Sequence, residues 1–517
     1  MRTWLSTTAC GDGTSSVEPQ ASLAKDALSG VAWNYSGTAV LVVVQIASAA
    51  ATARLIVPAE FGAYAAAQAA MALASYFTLW TIGLGILRRS ELAEKTAGTA
   101  FALSAATASL VVVAMWLIAV PWAAAWGIDS AALLVRVLAF ALFFTSLSSI
   151  PLALVRRRLR FASAAVAETS SQIGGIIVSI SLAVALHSAL ALAIGQVVAG
   201  AALLVWAIAL ARRDLRLGFD LAEARELFTY GGQLSVLYFG FYAANWLPSW
   251  VAGRSYGAVT LGLYSRANLI VGLPLTYLTS GISKVLFPLY GRVRDDRART
   301  RNLLSEALVL ATGFSWPLFA IVAGAAPVVI DALLGPRWHA ATPMLRLSAL
   351  IVCAAIPISL LTNAGEALGW IRITALRLAV FLVLLLSAIT VTLGADLAFE
   401  WVLAGVAVAQ WATYAIMLRT FSTRAVVHGE LLVRSHLVHG AVSLVAFALA
   451  LLGAWALDGT GIAAQIAAEI AITLAVFAII LTGRSWFPAT EVLTRRMGGT
   501  LRSRHGLMAL LRPESPR

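Results

Sequence analysis

The chain has 517 residues, 60% of them hydrophobic and 12% charged, with a mean hydropathy of +0.87 and a formal net charge of +13. Soluble domains carry roughly 25% charged residues, so a water-soluble globule is excluded and a membrane solvent is required. The basic excess would point to nucleic acid in a soluble protein, but here it is almost all Arg in short loops and the tail, where bilayer topology and anionic headgroups account for it.

Residues 1–28 are polar and read as a disordered cytoplasmic leader. Thr7-Thr8-Ala9-Cys10 has no apolar segment before it, so neither lipidation nor a secretory signal is expected. A helix needs about 20 apolar residues to cross the hydrocarbon core. About fourteen stretches qualify: 29–53, 60–86, 97–120, 131–154, 162–186, 188–211, 229–252, 259–286, 303–325, 342–365, 371–394, 397–418, 437–457 and 461–482. Residues 326–340, broken by Asp331 and Gly335-Pro336, read as an interfacial helix on the outer surface. The tail, 484–517, is basic.

The loops alternate in charge. Arg88, Arg89 and Lys95 form one cluster, Arg156, Arg157, Arg158 and Arg160 the next, then Arg212, Arg213 and Arg216, then Arg292, Arg294, Arg297, Arg299 and Arg301. The intervening connections hold a lone Arg54, Arg254 or Arg337, or no basic residue. Short basic loops stay in the cytoplasm. The pattern predicts an all-α integral membrane protein with an even number of spans and both termini inside. The outer connections are too short for a folded outer domain.

Arg54 is followed by Phe61-Gly62-Ala63-Tyr64, and Arg254 by Leu261-Gly262-Leu263-Tyr264, both between the first and second helix of a six-span block. Two parallel repeats predict two lobes around an axis along the membrane normal, with substrate handled between them. The expected organisation is a first lobe over 29–211, a cytoplasmic linker over 212–228, a second lobe over 229–420, and two further spans over 421–483 before the tail.

Several segments resemble the polysaccharide transporter family, the O-antigen and exopolysaccharide flippases of bacterial inner membranes. They are Ala53 to Tyr64, Gly83-Leu84-Gly85-Ile86-Leu87, Arg156 to Phe161, Gly253-Arg254 through Tyr264-Ser265-Arg266-Ala267, Val285-Leu286-Phe287-Pro288, and Leu333-Leu334-Gly335-Pro336-Arg337-Trp338. The superfamily also holds lipid II flippases and multidrug extrusion antiporters. The resemblance spans roughly residues 29–420. It implies an undecaprenyl-diphosphate-linked oligosaccharide as substrate, membrane lipids as surroundings, and a polysaccharide polymerase and export machinery as partners. Relatives often carry an Asp in the seventh helix, where this chain has Asn245-Trp246-Leu247-Pro248-Ser249-Trp250. The carboxylate through which ions would couple at that position is missing.

A diphosphate and sugars cross hydrocarbon only through a wet cleft that offers cations and hydrogen-bonding or aromatic surfaces. Arg suits the diphosphate because its planar fork matches phosphate oxygens. Ionisable residues inside spans are the default candidates: Arg136, Arg266, Lys284, Arg346 and Arg377, with Glu168, Glu366, Glu400 and Glu469 as the acidic set. Arg136, Lys284, Arg346, Arg377, Glu168 and Glu400 lie near span ends, where snorkelling also explains them. Arg54 and Arg254 either cap helix C-termini or stand as site cations at the outer mouth. Arg266 is the strongest candidate. Glu366 is expected to pair with Arg372.

Tyr238, Tyr242, Trp246 and Trp250 recur every four residues and form one helical stripe, expected to face the cavity rather than lipid. Asn34, Gln45 and Asn245 are polar groups that either line the cleft or bond between helices. Asp295-Asp296 reads as charge balance in a basic loop. The six histidines lack metal-ligand spacing and no glycine-rich phosphate loop follows a strand, so no metal, no cofactor and no enzymatic activity are expected. The leading reading is a flippase of lipid-linked oligosaccharides. The alternative is a drug or cation antiporter.

Overall fold

The computed structural model describes residues 40–88, 96–158, 160–213, 242–276, 296–483 and 487–494 with a few isolated positions; for 79–88, 96 and 371 it describes the backbone alone. The helices are α1 (Val40–Leu55), α2 (Pro58–Arg88), α3 (Thr96–Trp126), α4 (Ala131–Arg157), α5 (Phe161–Leu186), α6 (Leu190–Ala211), α7 (Tyr242–Thr276), α8 (Arg297–Gly324), α9 (Ala326–Leu333), α10 (Thr342–Ala367), α11 (Ile371–Gly394), α12 (Phe399–Thr423), α13 (Gly429–Ala456) and α14 (Ile462–Thr482). No strand occurs among the described residues. In lipid a spanning backbone must satisfy its own polar groups, and an α-helix does so within one segment. Eleven of these helices are long and apolar enough to cross a membrane. Their outward surfaces carry Leu110, Leu117, Val205, Leu444 and Trp455, all exposed, as lipid-facing helices require.

Helix pairing repeats. In the first half α3 packs on α4, α4 on α6, and α5 on α6; in the second, α8 packs on α10, α10 on α12, and α11 on α12. Prolines recur on the matched helices: Pro121 and Pro317 on α3 and α8, Pro151 and Pro357 on α4 and α10. Small residues make the tight crossings. A Cβ at Gly195 would collide with Ser179 and the carbonyl of Gly175 between α5 and α6; one at Gly405 would collide with Ala388 between α11 and α12. Without a hydrophobic drive between helices in lipid, such close approach supplies much of their attraction. Helix α13 lies outside this scheme, packed on α8, and α14 contacts α13 and α9.

The loops sort to two ends. Glu60 binds Ser188 Oγ at 2.6 Å and the Ala189 amide at 2.8 Å, Arg54 reaches Ala332, and Tyr256 donates to the Leu397 carbonyl at 2.7 Å, all at one end. At the other, Arg156 pairs with Glu168, and Arg301 meets His428. Asp296 at that end is the N-cap of α8, accepting from the Arg299 amide at 3.0 Å and pairing with its side chain at 3.2 Å. The charge balance expected of it is a capping role.

Helix α7 folds back on itself. Gly257 has φ +89, which a regular α-helix does not accommodate. Trp246 and Leu269 line one cavity, yet in a straight helix they would lie about 35 Å apart. The reversal falls between the two stretches expected to span separately, and it mirrors the break between α1 and α2 at Val57-Pro58.

The two motif copies meet at this end. A Cβ on Gly62 would collide with the carbonyl of Ala258, and one on Gly262 with the carbonyl of Pro58. With the 200-residue offset between the copies, these are one contact made twice, as a two-fold axis demands. The segment expected to lie on the surface is instead wedged inward. Val328 and Ile330 of α9 are buried, and Trp338, in the 3₁₀ turn Pro336–Ala341, is fully buried. Trp338 donates from Nε1 to the Ala53 carbonyl at 2.9 Å and packs edge-on to Phe61 at 5.3 Å. In matching fashion Trp126, at the end of α3, abuts Gly253. Each half of the chain thus closes over the other's hinge.

Candidate functional site

Beneath that closure lies a cavity of about 580 Å³ between α1, α2, α5, α6 and both limbs of α7. Among the described lining residues its polar chemistry is amide, hydroxyl and one cation. Gln45, Gln68, Gln172 and Gln196 reach it from the first half, Trp246, Ser249, Tyr264 and Arg266 from α7. No carboxylate stands among the described lining residues. Tyr64 accepts a hydrogen bond from Gln68 at 2.8 Å.

Arg266 sits half-buried two turns below the reversal in α7, where its motif places it one residue after Ser265. Its guanidinium carbon lies 4.3 Å from the centre of the Phe61 ring. Its Nε is buried with no protein partner, as is Oε1 of Gln196 across the cavity. Orphaned polar atoms in a low-dielectric wall cost roughly 1–3 kcal/mol each, so both are poised to bind a polar guest.

The other candidate cations lie elsewhere. Arg54 is exposed and donates to the Ala332 carbonyl in the last turn of α9 at 3.1 Å; Arg254 is exposed beside Gly127 after α3. Both complement helix C-termini, but each reaches a helix of the opposite half. Arg136 stands 5.8 Å from the Trp116 ring, and Arg346 donates to the Ala323 carbonyl at 3.3 Å. Neither lines the cavity. Arg377, rather than Arg372, is the charge that acts on Glu366. Glu469 is buried on α14 beside Gly453, away from the cavity. Lys284, Tyr238 and Asn34 lie outside the described residues, as do the leader, most of the 212–228 linker and most of the tail.

The aromatic stripe corrects the sequence expectation. Of its described members, Tyr242, Trp246 and Trp250, only Trp246 lines the cavity. Tyr242 is buried against α2, donating to the Ala69 carbonyl at 3.0 Å and stacking with Trp246 at 6.2 Å. Trp250 donates to the Ala125 carbonyl at 3.1 Å. Tyr242 and Trp250 thus belong to a seam between the two halves, because a Tyr or Trp tip in an apolar setting needs an acceptor and the helix carbonyls there supply it. Asn245 is exposed on α7 and does not line the cavity. Gln45 does. Gln68, Gln172, Gln196 and Tyr64 were not anticipated; an isolated Gln inside an apolar span was the available signal.

Comparisons with known proteins agree with this architecture. Residues 51–343 match the family described as polysaccharide biosynthesis protein. The teichuronic acid biosynthesis protein TuaB of Bacillus subtilis is 22% identical over 64% of this chain and 69% of its own length. The succinoglycan biosynthesis transport protein ExoT of Rhizobium meliloti is 27% identical over 58% of this chain and 60% of its own. The lipopolysaccharide biosynthesis protein WzxC of Escherichia coli is 23% identical over 67% and 70%. Among solved structures, the lipid II flippase MurJ in an inward closed conformation superposes with a TM-score of 0.69 at 12% identity, covering 88% of this chain and 99% of that one. The MATE transporter VcmN of Vibrio cholerae does so with a TM-score of 0.50 at 16% identity, over 78% and 98%. Multiple apolar helical spans, as opposed to a β-barrel, belong to the bacterial inner membrane. The family match extends over more than half of the sequence, and the chain is a multi-pass membrane protein of the polysaccharide biosynthesis family.

Proposed function

We propose that the protein flips undecaprenyl-diphosphate-linked oligosaccharides across the inner membrane for surface or exopolysaccharide synthesis, acting as a transporter and not as an enzyme. The observation that carries this reading is the cavity: among its described lining residues one cation, Arg266, faces a wall of amides and hydroxyls with no carboxylate beside it. Arg266 receives the diphosphate, the glutamines and Trp246 the sugars, and the polyprenyl tail stays in lipid. The lobes over 29–211 and 229–420 rock about the two-fold contact, with the basic end toward the cytosol, both termini inside and about fourteen spans in all. Arg54 and Arg254 serve the outer mouth by bridging the lobes, Arg136 and Arg346 serve at its periphery, and Lys284, near the cytoplasmic end of the span expected over 259–286, serves the inner side.

A cation antiporter of the MATE type would need an acidic group to exchange its ion, and the described lining has none. The test is flipping of a fluorescent polyprenyl-diphosphate oligosaccharide in reconstituted liposomes. Arg266→Gln should lower the rate roughly tenfold or more, the worth of a charge-assisted bond to phosphate. A wild-type rate equal to that of protein-free liposomes overturns the proposal.

A further inference from the structure

Phe61 occupies an unusual place. It belongs to the first motif copy and is fully buried, outside the cavity lining but in contact with Arg266, which is part of that lining. From one side Trp338 packs edge-on against it; from another the Arg266 guanidinium stands 4.3 Å from its centre. Trp338 and Arg266 both come from the second half of the chain, so Phe61 is held from across the seam twice. Close to it the two halves also meet at the backbone, Gly62 against Ala258 and Gly262 against Pro58, and through the Trp338 bond to the Ala53 carbonyl. These backbone contacts do not face the cavity. Arg266 does, with a buried Nε that lacks a protein partner.

We infer that Arg266, Phe61 and Trp338 form a latch through which an anionic headgroup in the cavity opens the outer closure. The inference rests on the reading of the cavity as a lipid-diphosphate site. A cation is attracted to an aromatic face by its charge, and the attraction is stronger where water is excluded. An anion that takes the guanidinium fork neutralises that charge and draws the head toward the cavity. Phe61 then loses one of its two holds, and the Phe61–Trp338 contact carries the closure alone. A ligand shifts a conformational equilibrium only through its difference in affinity for the two states. The difference arises here because Arg266 binds the headgroup fully only after leaving Phe61. An uncharged lipid cannot do this, so the latch also selects for the diphosphate.

The experiment uses the full chain with Cys10→Ser and Cys353→Ala, carrying Ala53→Cys beneath Trp338, in nanodiscs of phosphatidylethanolamine and phosphatidylglycerol. The readout is the rate of labelling by a bulky hydrophilic maleimide. Undecaprenyl diphosphate should raise the parent's rate, and undecaprenol should not. Phe61→Leu and, independently, Trp338→Phe should raise the rate without lipid by roughly fivefold to tenfold, the shift that a desolvated cation–π or aromatic contact carries. Arg266→Gln should be raised likewise and gain nothing from the lipid. Melting curves for each variant separate an open gate from an unfolded protein. If folded Phe61→Leu and Trp338→Phe label as slowly as a parent that still responds, the latch is wrong and the cavity reading stands. An Arg266→Gln variant that responds like the parent moves the trigger elsewhere and overturns the inference. If undecaprenyl diphosphate, measured directly with radiolabel, does not bind the parent, the site reading fails and the latch with it.

Discussion

His428 shows how one side chain can be fixed in a single protonation state by geometry. It is the N-cap residue of α13, in the loop after α12. Its Nδ1 accepts from Arg301 Nε at 3.0 Å and its Nε2 lies 2.7 Å from Asn302 Oδ1. That pairing suits the neutral ring protonated on Nε2. Desolvation, and then the adjacent Arg301 charge, lower its pKa from the usual 6.5. A His held neutral favours the folded state fully above the unfolded pKa. That advantage is lost as pH falls below about 6.5 toward the lowered folded value, because the unfolded ring takes up the proton first. Amides of 424–430 should therefore exchange faster at pH 5.5 than at pH 7.5 after correction for intrinsic rates, and His428→Gln should flatten that difference. An equal difference in His428→Gln would assign the acid sensitivity to another group. Arg266 makes the complementary point. Its charge lies where lipid would reject it, and it persists on an aromatic ring with donors left over.

At the scale of elements, the motif glycines are the informative residues. Gly62 and Gly262 are needed because each helix start lies against the carbonyl of the other copy, with no space for a side chain. A backbone atom cannot move aside as a flexible side chain can, so Gly62→Ala must separate the two helices. Overpacking of this kind costs about 1–3 kcal/mol. Gly62→Ala should lower the melting temperature in detergent and raise the labelling of Ala53→Cys. The double variant with Gly262→Ala should cost less than the sum of the singles, since one separation relieves both collisions. Strict additivity would make the two crossings independent. The repeat behind this crossing was legible in the sequence, because a contact made twice leaves a pattern written twice, but that the two copies touch each other was not. The cavity was less legible. Arg266 stood out as a charge in an apolar span, whereas Gln68, Gln172 and Gln196 carry no charge and sit in ordinary helical stretches. The Tyr242 stripe had the right period, but periodicity names a face of a helix and not what that face meets. Trp338 was hidden because residues 326–340 looked like a surface segment, and only the fold brings Ala53 beneath it.

For the whole molecule, the described structure places charge at the ends and almost none between them. Arg156, Arg157, Arg158, Arg212, Arg213, Arg299, Arg301 and Arg424 gather at one end. At the motif end Arg54, Arg254 and Arg337 stand among Glu60, Asp129, Asp331, Asp396, Glu400 and Asp458. Such an asymmetry orients a polytopic chain, because short basic loops resist translocation whereas acidic ones contribute little. Under the proposed function the closure at the motif end and the cavity beneath it then have a direction: substrate enters from the cytosolic side and leaves past Trp338. Single cysteines at Arg158 and Arg299, both exposed and on opposite halves of the repeat, should be protected from an impermeant maleimide in intact cells. Cysteines at Ser188 and Asp396 should react. Parallel repeats require the first pair to share a face, since an even number of crossings separates them. If Arg158→Cys and Arg299→Cys label from opposite sides, the halves are inverted relative to each other. The two-fold contact at Gly62 and Gly262 could not then lie along the membrane normal, and alternating access between two like-oriented lobes would have no basis.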